Sequence, residues 1–304
     1  MNKLKVYFFE TRPQFLLLSV VLVFLGTAIA WTDGHFSLWR GLLAMLGLVS
    51  LHISVNVLND YFDYKSGVDL HTVRTPFSGG SGMLPAGMMS PREALIYGIV
   101  AFVAAVPIGA YFLFVSGWGL LPLLVVGASC VLIYTQKLTK VGFGMAEIAA
   151  GLGLGTLPVL GAYYVQAGAY IWPAVVASIP SGILVCNLLL LNEFPDVEAD
   201  ATASKRTLPI IMGKRKASRL YAGLTILMYV WIAGGVVVGL VGLPGLPPAA
   251  LLGLLTMPFA LKAIRGAGQY DDPSRLAPAL GANVLVILLT QVLLGVGYIG
   301  DGLF

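Results

Sequence analysis

"GLLAMLGLVSLHISVNVLNDYFDYKSGVD", residues 41–69, is the stretch on which the fold turns. From Gly41 to about Leu58 it is long and apolar enough to cross a bilayer as a helix. Its exit then carries Asp60, Asp63 and Asp69, where a plain anchor carries Lys, Arg or Trp. Asn56, Asn59, Asp60 and Asp63 fall at i, i+3, i+4 and i+7, which is one face of that helix.

Stretches of the same apolar kind recur on both sides. Of the 304 residues, 58% are hydrophobic and 11% charged, against about 25% charged in a soluble domain. No soluble domain is expected. The hydropathy places nine spans, at roughly 13–31, 41–62, 93–115, 119–135, 143–163, 170–192, 217–240, 247–264 and 278–299. Pro258 interrupts the eighth. The expected fold is an all-α integral membrane protein, one domain over residues 1–304, with nine transmembrane helices in a bundle. "MNKLKVYFFETRPQ" has no small-residue cleavage site, so no removable signal peptide is expected. Cys130 and Cys186 lie in apolar runs without metal-ligand spacing and read as packing residues.

The cations test the count. With the N-terminus in the cytoplasm, every Lys and Arg except Arg40 falls in an inner segment. The longest inner connections follow spans two and six and carry the acidic clusters, so function is expected on the cytoplasmic face.

The second cluster, "NEFPDVEAD", spaces Asn192, Asp196 and Asp200 at i, i+4 and i+8, an echo of the first. Acids stacked on one helix face repel one another unless a cation neutralises them. Oxygen ligands with no His or Cys partner suit Mg²⁺ or Ca²⁺ rather than zinc. Mg²⁺ uses one or two carboxylates and completes its shell with water and phosphate oxygens, so two such clusters could hold two or three Mg²⁺ ions around one diphosphate. Basic residues lie close in sequence to receive it: Arg74, Lys137 and Lys140 in "YTQKLTK", and Lys205 and Arg206 in "SKRTL". Each is equally explained as a topology determinant. "FSGGSG", residues 77–82, reads either as a phosphate cradle of backbone amides or as a flexible lid.

"NVLNDYFDYKSGVD", "TPFSGGSG" and "NEFPDVEADATASKRTL" together resemble the two aspartate-rich motifs of the UbiA superfamily of intramembrane prenyltransferases. The form "DYFDYKSGVD…TPFSGGSG" is most similar to the branch containing 1,4-dihydroxy-2-naphthoate polyprenyltransferases of menaquinone synthesis. The first motif departs from the Asp-x-x-x-Asp that many members carry, since Gly67 stands four residues after Asp63 and Asp69 follows. The resemblance implies a helical bundle around a central cavity that opens sideways into lipid. It implies Mg²⁺ on Asp60, Asp63, Asp196 and Asp200, with Asn56, Asn59 and Asn192 orienting these or binding metal. It also implies an allylic diphosphate steadied by Arg74, Lys137, Lys140, Lys205 and Arg206. Tyr61, Phe62, Tyr134, Tyr163 and Tyr164 are candidates to shield the allylic cation. Glu147, an acid within span five, and Arg12, at the entrance of span one, are candidate acceptor contacts.

The partners so implied are an isoprenyl diphosphate, an aromatic acceptor and the bilayer. Nothing asks for nucleic acid or a required protein partner. The location implied is the cytoplasmic membrane of a prokaryote, with the N-terminus and site facing the cytoplasm. Two alternatives stand: a prenyltransferase for 4-hydroxybenzoate or another lipophilic acceptor, and a cation transporter built from the two echoed half-sites. Against the transporter, the acids gather at one face rather than at the midplane.

Overall fold

Local signals in the chain start and stop the spans. Ser90 opens one of them: its hydroxyl accepts the N–H of Glu93, and the Glu93 carboxylate accepts the N–H of Ser90. Pro91 then fills a first-turn position that needs no donor. Gly67, at φ 85°, ends the helix that carries the first acidic cluster.

The computed structural model describes residues 2–70, 72 and 74–303, which fold into helices joined by turns and loops and contain no strand. Met1 and Phe304, the ends of the expected 1–304 domain, lie outside the described residues, as do His71 and Val73. A short helix α1 (Lys3–Glu10) precedes three spans, α2 (Pro13–Thr32), α3 (Leu38–Ser66) and α4 (Pro91–Val115). Then come α5 (Trp118–Val141), α6 (Met145–Ala167) and α7 (Trp172–Asn192). Two short helices, α8 (Val197–Thr202) and α9 (Leu208–Met212), lead to the last spans. These are α10 (Lys214–Leu240), α11 (Pro248–Ala267) and α12 (Pro273–Asp301). Among the described residues, nine helices are long and apolar enough to cross a membrane.

Lipid gives helices no hydrophobic reason to associate, so close packing must hold them together. The glycines show where. A Cβ on Gly26 of α2 would overlap the Val159 carbonyl of α6, and one on Gly155 of α6 would overlap the backbone of Ser181 and Gly182 in α7. Leu22, Leu25 and Ile29 of α2 share a core with Leu184 of α7, Ile232 of α10 and Leu294 of α12. Ile99, Val103 and Phe114 of α4 and Val230 and Val237 of α10 stay exposed, as lipid-facing residues do.

Three details differ from the sequence expectation. Pro258 does not interrupt the eighth span. Residues Pro248–Thr256 wind as a tight 3₁₀ helix, and Pro258 sits in the first turn of the α-helical half that follows. The spans α5 and α6 each contain a π turn, at Tyr134–Leu138 and Leu152–Thr156, and both border the central cavity. The second acidic cluster is not one continuous helix face. Pro195 cannot prolong α7, so the chain leaves the helix after Asn192 and turns, and Asp196 stands immediately before α8.

Candidate active site

The central cavity is bounded by α2, α3, α5, α6 and α7, with a polar end and an apolar body. Asn56, Asn59 and Asp63 of α3 line the polar end together with Asp69, Asn192, Glu193, Asp196, Asp200 and Lys205. Phe15, Leu18, Val55, Val131, Val185 and Leu188 line the body. The helical spacing read from the sequence therefore does place most of the first cluster on one cavity wall.

Lys205 joins the two clusters. Its ammonium lies 3.0 Å from Asp63 Oδ1 and 2.9 Å from Asp200 Oδ1, and only 9% of the side chain is exposed. The positive charge between two carboxylates holds the Lys205 pKa above its ordinary value although burial opposes it. The glycine-rich loop makes a second bridge. The Gly79 N–H donates to Asp196 Oδ2 at 3.2 Å, and the Ser81 N–H donates to Asp60 Oδ2 at 2.7 Å. These two amides thus hold carboxylates, where the sequence left open a phosphate cradle or a lid. Gly80, at φ 72°, allows the approach, since a Cβ there would press on Asp60 Oδ1 at 3.2 Å. Asp60 itself is 1% exposed and sits beneath the loop, outside the cavity lining.

The supporting contacts are equally specific. Asn59 donates to Asp63 Oδ2 and to Thr135 Oγ1, both at 3.1 Å. Asn56 donates to the Thr11 carbonyl at 2.9 Å and so ties α3 to the turn before α2. Arg12, in that turn at φ 54°, lies over the Phe15 ring and lines the cavity.

Several candidates lie elsewhere. Lys137 and Arg206 are exposed and outside the lining, as is Arg74, which packs against Gly82 of the loop. Lys140 lines a neighbouring pocket with Lys65, and that pocket shares Asp63 and Lys205 with the main cavity. Glu147 is fully buried but does not line the cavity; its Oε1 accepts the Leu208 N–H at 2.6 Å and caps α9. Of the five aromatic candidates, only Tyr134 lines the cavity, joined by Phe15 and Phe77. Tyr163 instead donates to Asp33, just past the C-terminal end of α2, Tyr164 packs on Tyr170, and Tyr61 packs on Phe62.

Sequence reasoning passed over Glu10, Glu193 and His52. Glu10 is fully buried and accepts the Ser81 hydroxyl at 2.6 Å. Burial and the nearby Asp60 push its pKa up to about 8. Burial likewise pushes Asp69 up to about 8, with Asp60 and Asp63 adding to it, and Asp196 up to about 7, with Asp200 adding to it.

Whether this end suits a divalent cation follows from its unpaired atoms. Asp60 Oδ1, Asp196 Oδ1, Asn192 Oδ1 and Glu193 Oε2 are buried oxygens with no hydrogen-bond donor among the described residues. Among the described residues no three His, Cys, Asp or Glu converge into a closed metal cage. Hard oxygen donors spread over two walls suit a cation that brings water and phosphate oxygens of its own.

Residues 19–290 match the UbiA prenyltransferase family. The chain belongs to that family. It is similar to 1,4-dihydroxy-2-naphthoate octaprenyltransferase of Bacillus subtilis (strain 168), with 27% identity over 94% of this chain and 90% of the relative. The Mycobacterium tuberculosis enzyme of the same description is 30% identical over 91% of each. The fold superposes on a UbiA homologue from Archaeoglobus fulgidus, solved bound to GPP and Mg²⁺, with a TM-score of 0.63, 16% identity and coverage of 97% and 99%. As a UbiA-family protein the chain is a membrane prenyltransferase, which answers the choice between enzyme and transporter.

Proposed function

We propose that this UbiA-family protein transfers an isoprenyl group from an allylic diphosphate to 1,4-dihydroxy-2-naphthoate, with Mg²⁺, at the cytoplasmic face of a prokaryotic inner membrane. The observation that carries the reading is one cavity with a carboxylate and amide end and an apolar body, a shape suited to a diphosphate with a hydrocarbon tail. The names of the curated relatives support the acceptor. The confinement of every cation but Arg40 to one set of loops supports the orientation.

Asp60, Asp63, Asp196, Asp200, Asn56 and Asn192 are the residues that would hold the metal; Asp60, buried beneath the glycine-rich loop, would reach it only if that loop shifts. Bound there, Mg²⁺ would draw charge from the diphosphate as it leaves. Lys205 holds Asp63 and Asp200 in place and adds a fixed positive charge near the departing group. Lys140, in the adjoining pocket, and the exposed Lys137, Arg74 and Arg206 reach the diphosphate only by side-chain movement. The allylic C–O bond breaks with its electron pair leaving on the diphosphate. Water is kept from the cation by the apolar body, with Phe15, Phe77 and Tyr134 offering ring faces. The acceptor carbon bearing the carboxylate forms the new C–C bond. CO₂ then departs, and the pair it leaves restores the aromatic ring. Arg12, which lines the cavity, is the residue that would meet the acceptor.

The acceptor is tested by product mass. Membranes given a labelled isoprenyl diphosphate and dihydroxynaphthoate should yield a prenylated ring lacking the carboxylate. Prenylation of 4-hydroxybenzoate, with its carboxylate kept and no reaction with the naphthoate, would overturn the acceptor assignment.

The raised acids give a pH prediction. In the metal-free protein Glu10, Asp69 and Asp196 keep protons that the unfolded chain loses near pH 4. The native state therefore binds more protons between about pH 4 and 8, and stability in EDTA should fall as pH rises through that window. A divalent cation held by Asp196 must displace its proton, so metal affinity should rise with pH up to about 7. Tm in detergent across pH, with EDTA and with Mg²⁺, checks both; a metal affinity flat with pH would count against the ligand assignment.

A further inference from the structure

His52 is the one histidine among the described residues that lines the cavity, and the mechanism above does not use it. It lies on α3, one turn deeper than Asn56 and thus about 6 Å further into the membrane. Asp60 is eight residues away, about 12 Å along the helix. The side chain is 3% exposed. Its Nδ1 lies 2.9 Å from the hydroxyl of Ser19 on α2, which is itself fully buried. Neither side chain makes another hydrogen bond among the described residues.

An imidazole at this depth is costly unless its second nitrogen also finds a partner. Ser19 fixes the rotation of the ring and leaves Nε2 as the nitrogen without a protein partner. Phe15, Leu18 and Val55 line the cavity with it, and Arg12 is the charged side chain near enough to act on the ring. An isoprenyl chain has no polar atom to offer Nε2. An aromatic acceptor bearing ring hydroxyls does.

We propose that His52 Nε2, its ring held by Ser19, is the hydrogen-bond partner of a ring hydroxyl of the acceptor. The inference rests on the aromatic acceptor proposed above and adds where that acceptor is gripped. The contact orients the ring below the diphosphate end of the cavity. When Nδ1 carries the imidazole proton, Nε2 accepts from the hydroxyl and pushes electron density into the ring that attacks the cation. No net proton transfer is required, because CO₂ is the group that leaves. His52 is then an acceptor-binding residue and Ser19 a positioning residue.

The experiment measures KM for donor and acceptor separately in wild type, His52→Phe, Ser19→Ala and Ser19→Thr. Dihydroxynaphthoate is compared with its two mono-O-methyl ethers. His52→Phe should raise the acceptor KM about tenfold, the value of one buried hydrogen bond, and leave the donor KM within about twofold. Wild type should discriminate against one ether by a similar factor, and His52→Phe should not. Ser19→Ala should act in the same direction but less, and Ser19→Thr, which keeps the hydroxyl, should recover. An unchanged donor KM shows that a variant is folded. A raised donor KM with the acceptor KM unmoved would place His52 on the isoprenyl path and overturn the proposal. Ether discrimination retained by His52→Phe overturns it as well. Should wild type use only 4-hydroxybenzoate, the naphthoate reading fails separately, and the same comparison with 4-methoxybenzoate still decides the role of His52.

Discussion

Asp60→Asn and Asp196→Asn are each expected to cut turnover by roughly a thousandfold, the several kcal/mol of a metal's stabilisation of a leaving group, while leaving the protein folded. Each change removes a ligand charge and almost no volume. Asp60 Oδ2 accepts the Ser81 N–H and Asp196 Oδ2 accepts the Gly79 N–H, and an amide oxygen can accept both in the same way. For Asp196 the pKa pushed up to about 7 gives a further reason. Without metal, much of the Asp196 population is protonated near neutral pH, and Asn imitates that form. The Asp196→Asn variant should therefore be as stable in EDTA as the wild type, or more so, and should gain less Tm from Mg²⁺. Turnover at saturating Mg²⁺ alongside detergent Tm measures both effects. Near-normal turnover in both variants would sink the assignment of these acids to metal.

How far the sequence reached can be seen in individual residues. The spans were legible because a bilayer imposes length and composition on them, and the first acidic face was legible because α3 continues unbroken through it. The second cluster was read on the same rule and lost its continuity to Pro195. Charge near a site proved readable and charge in a site did not. Lys205 and Arg206 are neighbours, yet one is buried between Asp63 and Asp200 and the other is exposed. Only the fold decides which way each long side chain points. Glu10 carried no signal because its partner, Ser81, is 71 residues away. His52 was within reach: it is the single ionisable group in the apolar run between Gly41 and Leu58. Intramembrane polar residues are functional by default, a rule that points to Glu147 as well. The structure gives Glu147 a capping contact instead and leaves His52 facing the cavity.

Lys205→Met should be the most destabilising single change at the site, costing about 3–5 kcal/mol in EDTA, as removal of one partner from a buried pair does. The reason is what it leaves behind. Asp63 is 8% exposed and Asp200 6%, and both lose the ammonium that pairs them. Met keeps most of the volume, so a loss of Tm reports charge rather than a cavity. Two carboxylates facing each other without a cation form a stronger divalent site than the wild type presents. Mg²⁺ should then restore a larger share of Tm in the variant than it adds to the wild type. Turnover should remain low even where Tm recovers, because the metal now neutralises the acids that Lys205 had balanced and the fixed charge beside the leaving group is gone. Lys205→Arg keeps a cation and should fall between the two in EDTA, limited by fitting a larger fork into the same space. Equal Tm for Lys205→Met and wild type in EDTA would mean that the Lys205 bridge between Asp63 and Asp200 adds no stability in solution. The two clusters would then be held together by the glycine-rich loop alone.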